Sequence, residues 1–322
     1  MRAVRVHETG GPEVLSLDSI DDPIPGPGEV LVRVEAIGVN FIEIYQRKGI
    51  YKSPLPSTPG EEGAGTVAAV GPGVSEVRVG DRVVSNSLKG SYAELALADA
   101  NRLVTIPDDV TARDAAAVLL QGMTGHYLVT SVYALQPGDA CLVHAAAGGV
   151  GLLLCQMAKR RNAIVIGTVS SKEKAERARA AGADEVIIYT KQDFAAEVAR
   201  ITGGKLVRVV YDSVGATTFE KSLECLAPRG MMALFGHSSG VVPPFDPLVL
   251  LRRGSLFLTR PTLGHYVATR DELVWRAGDV LGWVRDGSLK VNIDREVPLV
   301  HVGEAHRALE GRRTTGKVLL VP

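Results

Sequence analysis

Cysteine is scarce. Three residues in 322, Cys141, Cys155 and Cys225, stand far apart, and no two share a CxxC spacing. An odd, scattered set in apolar surroundings excludes a disulfide framework and a cysteine zinc knot, and suits buried thiols in a reducing compartment. An excess of either charge is also missing, because 36 Lys and Arg balance 36 Asp and Glu. Without a basic surplus or a Lys/Arg-rich stretch, neither nucleic acid nor an anionic membrane gains support as a partner. Long apolar runs are absent too. The longest are strand-sized or broken by Gly and Lys, well short of the roughly 20 residues that a spanning helix needs. The opening MRAVRVHETGG resembles neither a signal peptide nor a transit peptide. The expectation is a cytoplasmic protein with no membrane and no nucleic-acid partner.

What is present has the texture of two folded domains. The chain is 46% hydrophobic and 22% charged, enough for a sizeable core, and its length suggests two domains. Before about residue 120, short β-like runs (RAVRVHE, GEVLVRVEAIGV, GAGTVAAVGPGV, DRVVSN, SYAELALA) alternate with Gly/Pro turns, as in a compact, largely β domain. From Gly138 the pattern changes to strand and helix in turn. CLVHAA, AIVIGTV, EVIIY, VRVVYDSV and MMALFG are near-continuous apolar runs, and the segments between them have helical periodicity. TTFEKSLECLAPRG reads as one of those helices, and Gly182, Gly203 and Gly230 stand where helix C-caps are expected. Such alternation predicts right-handed βαβ units and a parallel sheet covered on both faces. A long helix is expected from Thr269 to about Gly287, followed by a short β-like tail. The tail resembles the first region, so the α/β unit reads as an insertion in a discontinuous β domain.

The strongest motif is HAAAGGVG, His144–Gly151. Against G-x-G-x-x-G it reads A-x-G-x-x-G from Ala146 to Gly151. In this motif the second glycine, here Gly148, lets backbone approach a pyrophosphate. The third, Gly151, permits close helix–strand packing, and the helix N-terminus at Gly149 and Val150 offers N–H groups and positive potential to phosphates. The flanking strand and helix give the glycines their meaning.

The next strand ends near Thr168-Val169, where a carboxylate would hold an adenosine ribose 2′-hydroxyl and repel a 2′-phosphate. Here the residues are Ser170, Ser171, Lys172, Glu173 and Lys174. Hydroxyls, backbone N–H groups and ammonium groups bind a phosphate, so the expected ligand is NADP(H). Glu173 is the objection, since one position later it could serve as the ribose acid.

HAAAGGVGLLLCQMAK, YDSVG and GSLFLTRP, taken together, mark a resemblance. The chain resembles the zinc-free quinone oxidoreductases, related to zeta-crystallin, in the medium-chain dehydrogenase/reductase superfamily, over Met1 to Pro322. The resemblance implies a Rossmann doubly wound parallel sheet inserted in a GroES-like, largely β catalytic domain, with 1–122 and 262–322 catalytic and 123–261 binding NADP(H). It implies that the zinc-ligand positions of related dehydrogenases fall at Asn40, Glu61 and Gln121, a set that makes a metal site unexpected. It further implies a nicotinamide cleft lined by Asn40, Tyr45, Tyr51, Met123 and Thr124, with pyrophosphate at Gly149 and Val150. Ser170, Lys174 and Tyr189 would surround the 2′-phosphate. Phe235, Gly236 and Ser238, main-chain atoms of Phe257 and Leu258, and Arg313 and Lys317 complete the implied cofactor set. A homodimer paired through GSLFLTRP is implied as well.

The implied activity is zinc-independent hydride transfer from NADPH to a quinone, with Asn40, Tyr45 and Tyr51 as the catalytic candidates. Hydride chemistry needs little from the protein beyond orientation and exclusion of water. The seven histidines form no Ser/His/Asp constellation; His144 is expected to pack behind the phosphate turn. Asn40, in a loop after VLVRVEAIGV, would need a partner for a buried amide. The adjacent Glu61 and Glu62 read as a structural pair tied to Arg47 or Lys48. Reduction of an activated C=C bond in an enal, enone or enoyl thioester is the nearest alternative. A crystallin-like or RNA-binding role, known among relatives, is a third.

Overall fold

The computed structural model describes residues 1–322. It divides into two units, Met1–Gln121 with Val267–Pro322, and Gly122–Tyr266. No helix is long and apolar enough to cross a membrane.

In the unit Gly122–Tyr266, six strands form one sheet: Ala140–Val143, Ile164–Val169, Glu185–Ile188, Val207–Asp212, Leu226–Leu234 and Phe257–Thr259. Their spatial order is third, second, first, fourth, fifth, sixth, and every pair is parallel. This is the doubly wound order whose reversal, between the first and fourth strands, opens a ligand crevice at the carboxyl ends. The strands are apolar because both faces are covered. Leu142, Ile166, Val210 and Met232 are buried in one core with Phe194, Val198, Phe219 and Leu223 from the helices.

One expectation fails here. The helix after the fourth strand is only Phe219–Glu224, and Gly230 lies inside the fifth strand instead of at a helix end. Leu226 already pairs with Val207, so the sheet recruits the chain early. Pro228 has no N–H to continue a helix, and the left-handed residue is Arg229, at φ 61°.

The other unit is built on the eleven-residue strand Glu29–Val39. That strand pairs with Gly63–Val70, Leu95–Asp99 and Lys317–Val321, all antiparallel. Arg82–Ser85, Val104–Thr105 and Ile293–Pro298 complete a seven-stranded sheet. Val30, Val32, Ile37, Val67, Val83 and Leu320 bury the inner face. The tail contains a helix that sequence reading leaves out, Val302–Glu310, and Thr269 caps the helix Arg270–Arg285 through a capping box with Glu272.

Two features of this unit set up its chemistry. Register places Val318 opposite Val39, which brings Lys317 beside the residue that follows the long strand. That residue, Asn40, is the N-cap of a short helix, Phe41–Arg47, that continues directly from the strand; the expected loop is absent.

Candidate active site

In the Rossmann unit, the chain leaves the first strand through His144 and turns at Ala145, which has φ 51°. The helix Gly149–Arg160 then begins with Gly148 as an N-cap that supplies no side-chain acceptor. The first N–H groups of a helix have no partner within it, so those of Gly149, Val150 and Gly151 are free for an anion. Gly151 makes the turn tight: a Cβ there would lie 2.3 Å from the Ala145 carbonyl oxygen. Gly167, on the neighbouring strand, does the same from the other side, since its Cβ would meet the Ala146 methyl at 2.8 Å.

Behind the turn His144 is buried and bonded at both ring nitrogens, to Thr168 Oγ1 at 2.8 Å and Ser222 Oγ at 2.9 Å. Burial holds its pKa below the ordinary imidazole value, against the opposing pull of Asp212. Asp212 accepts from the N–H groups of Val214 and Gly215 and from Thr218 Oγ1. His144 is therefore a neutral strut between the ends of the first two strands and the helix Phe219–Glu224.

At the ends of the second and third strands lie Ser170 and Tyr189. Tyr189 donates its N–H to the Val169 carbonyl, and Thr190 Oγ1 donates to that of Ser170. Tyr189 is 42% exposed. Ser171 N-caps the helix Lys172–Ala180, accepting from the Lys174 N–H at 3.3 Å. Glu173 is turned into this cap, and its hydrogen bond with Ser171 is the main cause that holds its carboxyl below the usual range. The donors at this strand end, with its one carboxylate engaged in the cap, fit a 2′-phosphate. Phe235, Gly236 and Ser238 follow the fifth strand. Gly236 is wedged against the Ser213 carbonyl oxygen, which a Cβ would approach to 2.6 Å. Phe257 and Leu258 lie on the sixth strand, and Met123 and Thr124 are buried on the helix Ala112–Tyr127.

In the other unit two of the candidates, Asn40 and Lys317, meet in a buried polar hub. Asn40, Glu62 and Lys317 are 5%, 0% and 1% exposed. The Lys317 ammonium donates to Asn40 Oδ1 at 2.7 Å and to Glu62 Oε2 at 2.5 Å. Asn40 Nδ2 donates to the same Glu62 oxygen at 2.9 Å and to the Gly38 carbonyl at 3.2 Å. The other Glu62 oxygen receives the Leu120 N–H at 2.6 Å. Gly38 leaves the space for this carboxylate, since a Cβ there would stand 2.2 Å from Glu62 Oε2.

Glu43 closes the helix start by accepting the Asn40 N–H at 2.8 Å, while its Oε1 is buried without a partner. Burial first, and the charge of Glu61 second, push Glu43 up to about 8. At neutral pH its neutral form predominates.

Tyr45 and Tyr51 pack edge to face at 5.4 Å between centroids, and the N–H groups of Ile50 and Tyr51 both donate to the Tyr45 carbonyl. Arg313 is exposed and stands outside the hub.

The expected tie from Glu61 and Glu62 to Arg47 or Lys48 does not exist. Glu61 accepts from Gln46 at 3.1 Å, and Glu62 serves the hub. Arg47 is buried and donates to Gly10 O, His306 Nδ1 and Glu310 Oε2, and Lys48 also pairs with Glu310. The reason is that Arg47 ends the helix Phe41–Arg47, toward the helix Val302–Glu310, whereas Glu62 lies beneath the N-terminus of the helix. The donor set at Asn40, Glu61 and Gln121, two amides and one carboxylate, does not fit a tetrahedral zinc ion. Asn40 is moreover committed to an ammonium.

Sequence comparison gives the family. A family model described as "Alcohol dehydrogenase GroES-like domain" matches residues 26–108, and one described as "Zinc-binding dehydrogenase" matches 149–271. A Pseudomonas aeruginosa quinone oxidoreductase is 46% identical over 315 residues, 97% of each chain. The chain belongs to the quinone oxidoreductases of the medium-chain dehydrogenase/reductase superfamily. The solved structure of the Escherichia coli quinone oxidoreductase, complexed with NADPH, covers 100% of both chains at 42% identity with a TM-score of 0.98. A 2-haloacrylate reductase from a Burkholderia species is 43% identical over 329 residues, 99% of this chain and 98% of its own.

For this quinone oxidoreductase, sequence reading passed over several residues of the site. Glu43 had a usable signal, since Asn40-x-x-Glu43 is the N-cap and N3 spacing of a helix start. Gly38 had none, and Glu62 was matched to the wrong cation, because its partner Lys317 is 255 residues away.

Proposed function

We propose that the protein is an NADPH:quinone oxidoreductase that transfers a hydride from NADPH to a quinone without a metal ion. The observation that carries this reading is the second strand's end. Ser170, the Ser171 cap and Lys174 assemble donors there, and the one nearby carboxylate, Glu173, is engaged in the cap. NADPH supplies the hydride. The protein's part is to hold its phosphates at Gly148–Gly151 and at Ser170, Lys174 and Tyr189. Phe235, Gly236, Ser238, Phe257 and Leu258 are assigned to the rest of the dinucleotide, with Met123, Thr124 and Arg313.

Asn40, Tyr45 and Tyr51 are assigned to the reacting end. A tyrosine hydroxyl of the packed pair is suited to donate to a quinone carbonyl. The exposed edge strand Phe257–Thr259 is the surface on which we place a homodimer two-fold. A cytoplasmic setting agrees with three buried free thiols.

The likeness to a 2-haloacrylate reductase supports a second reading, reduction of an activated C=C bond by the same site. Fold does not separate the two. The test is NADPH oxidation by purified protein with a small benzoquinone and a 2-alkenal in parallel. Turnover on the quinone carries the first reading; turnover on the alkenal alone replaces it with the second.

A further inference from the structure

Lysine can only donate a hydrogen bond. The atom of Asn40 that faces the Lys317 ammonium at 2.7 Å must therefore be the carbonyl oxygen, and the amide nitrogen must face Glu62 and Gly38. Both hydrogens of Nδ2 are then used, one on Glu62 Oε2 and one on the Gly38 carbonyl. Asn40 therefore has no hydrogen left to donate, and its Oδ1 can only accept. Asn40 is thus fixed as an acceptor, and it is fixed by an ion pair that is itself buried.

We propose that Lys317 and Glu62 are positioning residues that set the polarity of the Asn40 amide and the start of the helix carrying Tyr45, and that Lys317 is not a ligand of the cofactor. The inference rests on reading the protein as an NADPH-dependent reductase and revises the role that family resemblance gives to Lys317. Three features support it. The ammonium is 1% exposed and directed to two partners inside its own unit. Gly38 is required because a side chain there would displace Glu62. The register of Lys317–Val321 on Glu29–Val39 presents the lysine to Asn40 from the adjoining strand.

Lys317→Met alone would leave the Glu62 carboxylate buried without its cation, so a failure to fold would not be informative. Removing both charges avoids this, and in Lys317→Met/Glu62→Gln the new amide nitrogen faces Asn40 and reverses its amide. The experiment compares the parent, this double variant, Asn40→Ala and the triple variant in NADPH affinity by fluorescence titration and in kcat/KM for benzoquinone.

The expected result is NADPH affinity that changes equally in the double variant and in Asn40→Ala. kcat/KM should fall roughly 10- to 100-fold in each, as for a misplaced reacting group. The triple variant should show no further loss, because the pair acts through Asn40. Weakened NADPH binding in the double variant but not in Asn40→Ala would overturn the proposal by making Lys317 a cofactor ligand. Losses that multiply in the triple variant would overturn it, and so would none at all.

Should the double variant not fold, Lys317→Arg keeps the charge and shifts the donor, and the same comparison is made with it. If the parent reduces no quinone, the functional reading fails on that control alone. Amide exchange by NMR still decides the proposal: the Asn40 side-chain hydrogens exchange slowly in the parent and rapidly once the pair is removed, and equal rates overturn it.

Discussion

The glycine turn of the Rossmann unit and the polar hub of the GroES-like unit solve opposite problems. At the turn, side chains are removed: Gly148 and Gly151 let backbone approach backbone, Gly167 makes room for the Ala146 methyl, and the groups left open are main-chain N–H. At the hub, side chains are packed in, and Asn40, Glu43, Glu62 and Lys317 are all buried. At Gly151 the turn has no room for an added atom. The ion pair of Glu62 and Lys317 tolerates no missing partner, because a buried charge left alone costs several kcal/mol. A site made of absences is rigid through geometry, and one made of charges is rigid through mutual satisfaction.

Adding carbon at the turn should have the largest effect. Gly151→Val must push the helix Gly149–Arg160 off Ala145, and overpacking of about 1–3 kcal/mol is expected to weaken NADPH binding about 10- to 100-fold by fluorescence titration. A glycine that only ended a strand would leave affinity unchanged. Next is Lys174→Ala, expected to weaken NADPH by roughly 1–3 kcal/mol, as for a lost charged hydrogen bond, while NADH is little affected. Equal losses for both cofactors would remove Lys174 from the phosphate site.

The same addition of carbon at the hub sharpens the contrast. Gly38→Ala displaces Glu62, and an unfolding free energy lower by about 1–2 kcal/mol is expected in urea denaturation, with NADPH affinity retained if the units answer separately.

The smallest effect is read in pH. Glu43 is raised from 4.5 to about 8, so between those values the folded protein holds a proton that the unfolded chain releases. Stability then falls as pH rises, by at most about 1.4 kcal/mol per unit for one proton. His306 is the reverse case. Burial, with Arg47 beside it, lowers it from 6.5 to about 3, so stability is lost as pH falls through that window. Glu43→Gln should flatten only the alkaline arm of a plot of stability against pH, and an unchanged arm would mean that Glu43 is ionised in the fold.

The α/β architecture was legible because its signals are contiguous: apolar runs of strand length, helical periodicity between them and a glycine turn in His144–Gly151. The short helix Phe219–Glu224 misled because the sheet takes over at Leu226, before the one local stop signal, Pro228, is reached. The hub was illegible for a different reason. Asn40 and Lys317 are 277 residues apart, and only strand register makes them neighbours. Glu61-Glu62 beside Arg47-Lys48 offered a nearer pairing, and local charge complementarity pointed the wrong way. Long-range register selects among partners that composition cannot distinguish.

The register of Lys317–Val321 on Glu29–Val39 also has a consequence for biosynthesis. A nascent chain has made Asn40 and Glu62 long before it makes their cation, and translation at about 5–20 residues per second delays Lys317 by more than ten seconds. Over that interval the segment Gly122–Tyr266 emerges whole, whereas the first unit still lacks the strand that supplies Lys317. By the time Lys317 is made, the Rossmann unit has had time to mature, whereas the GroES-like unit has been waiting for its buried cation.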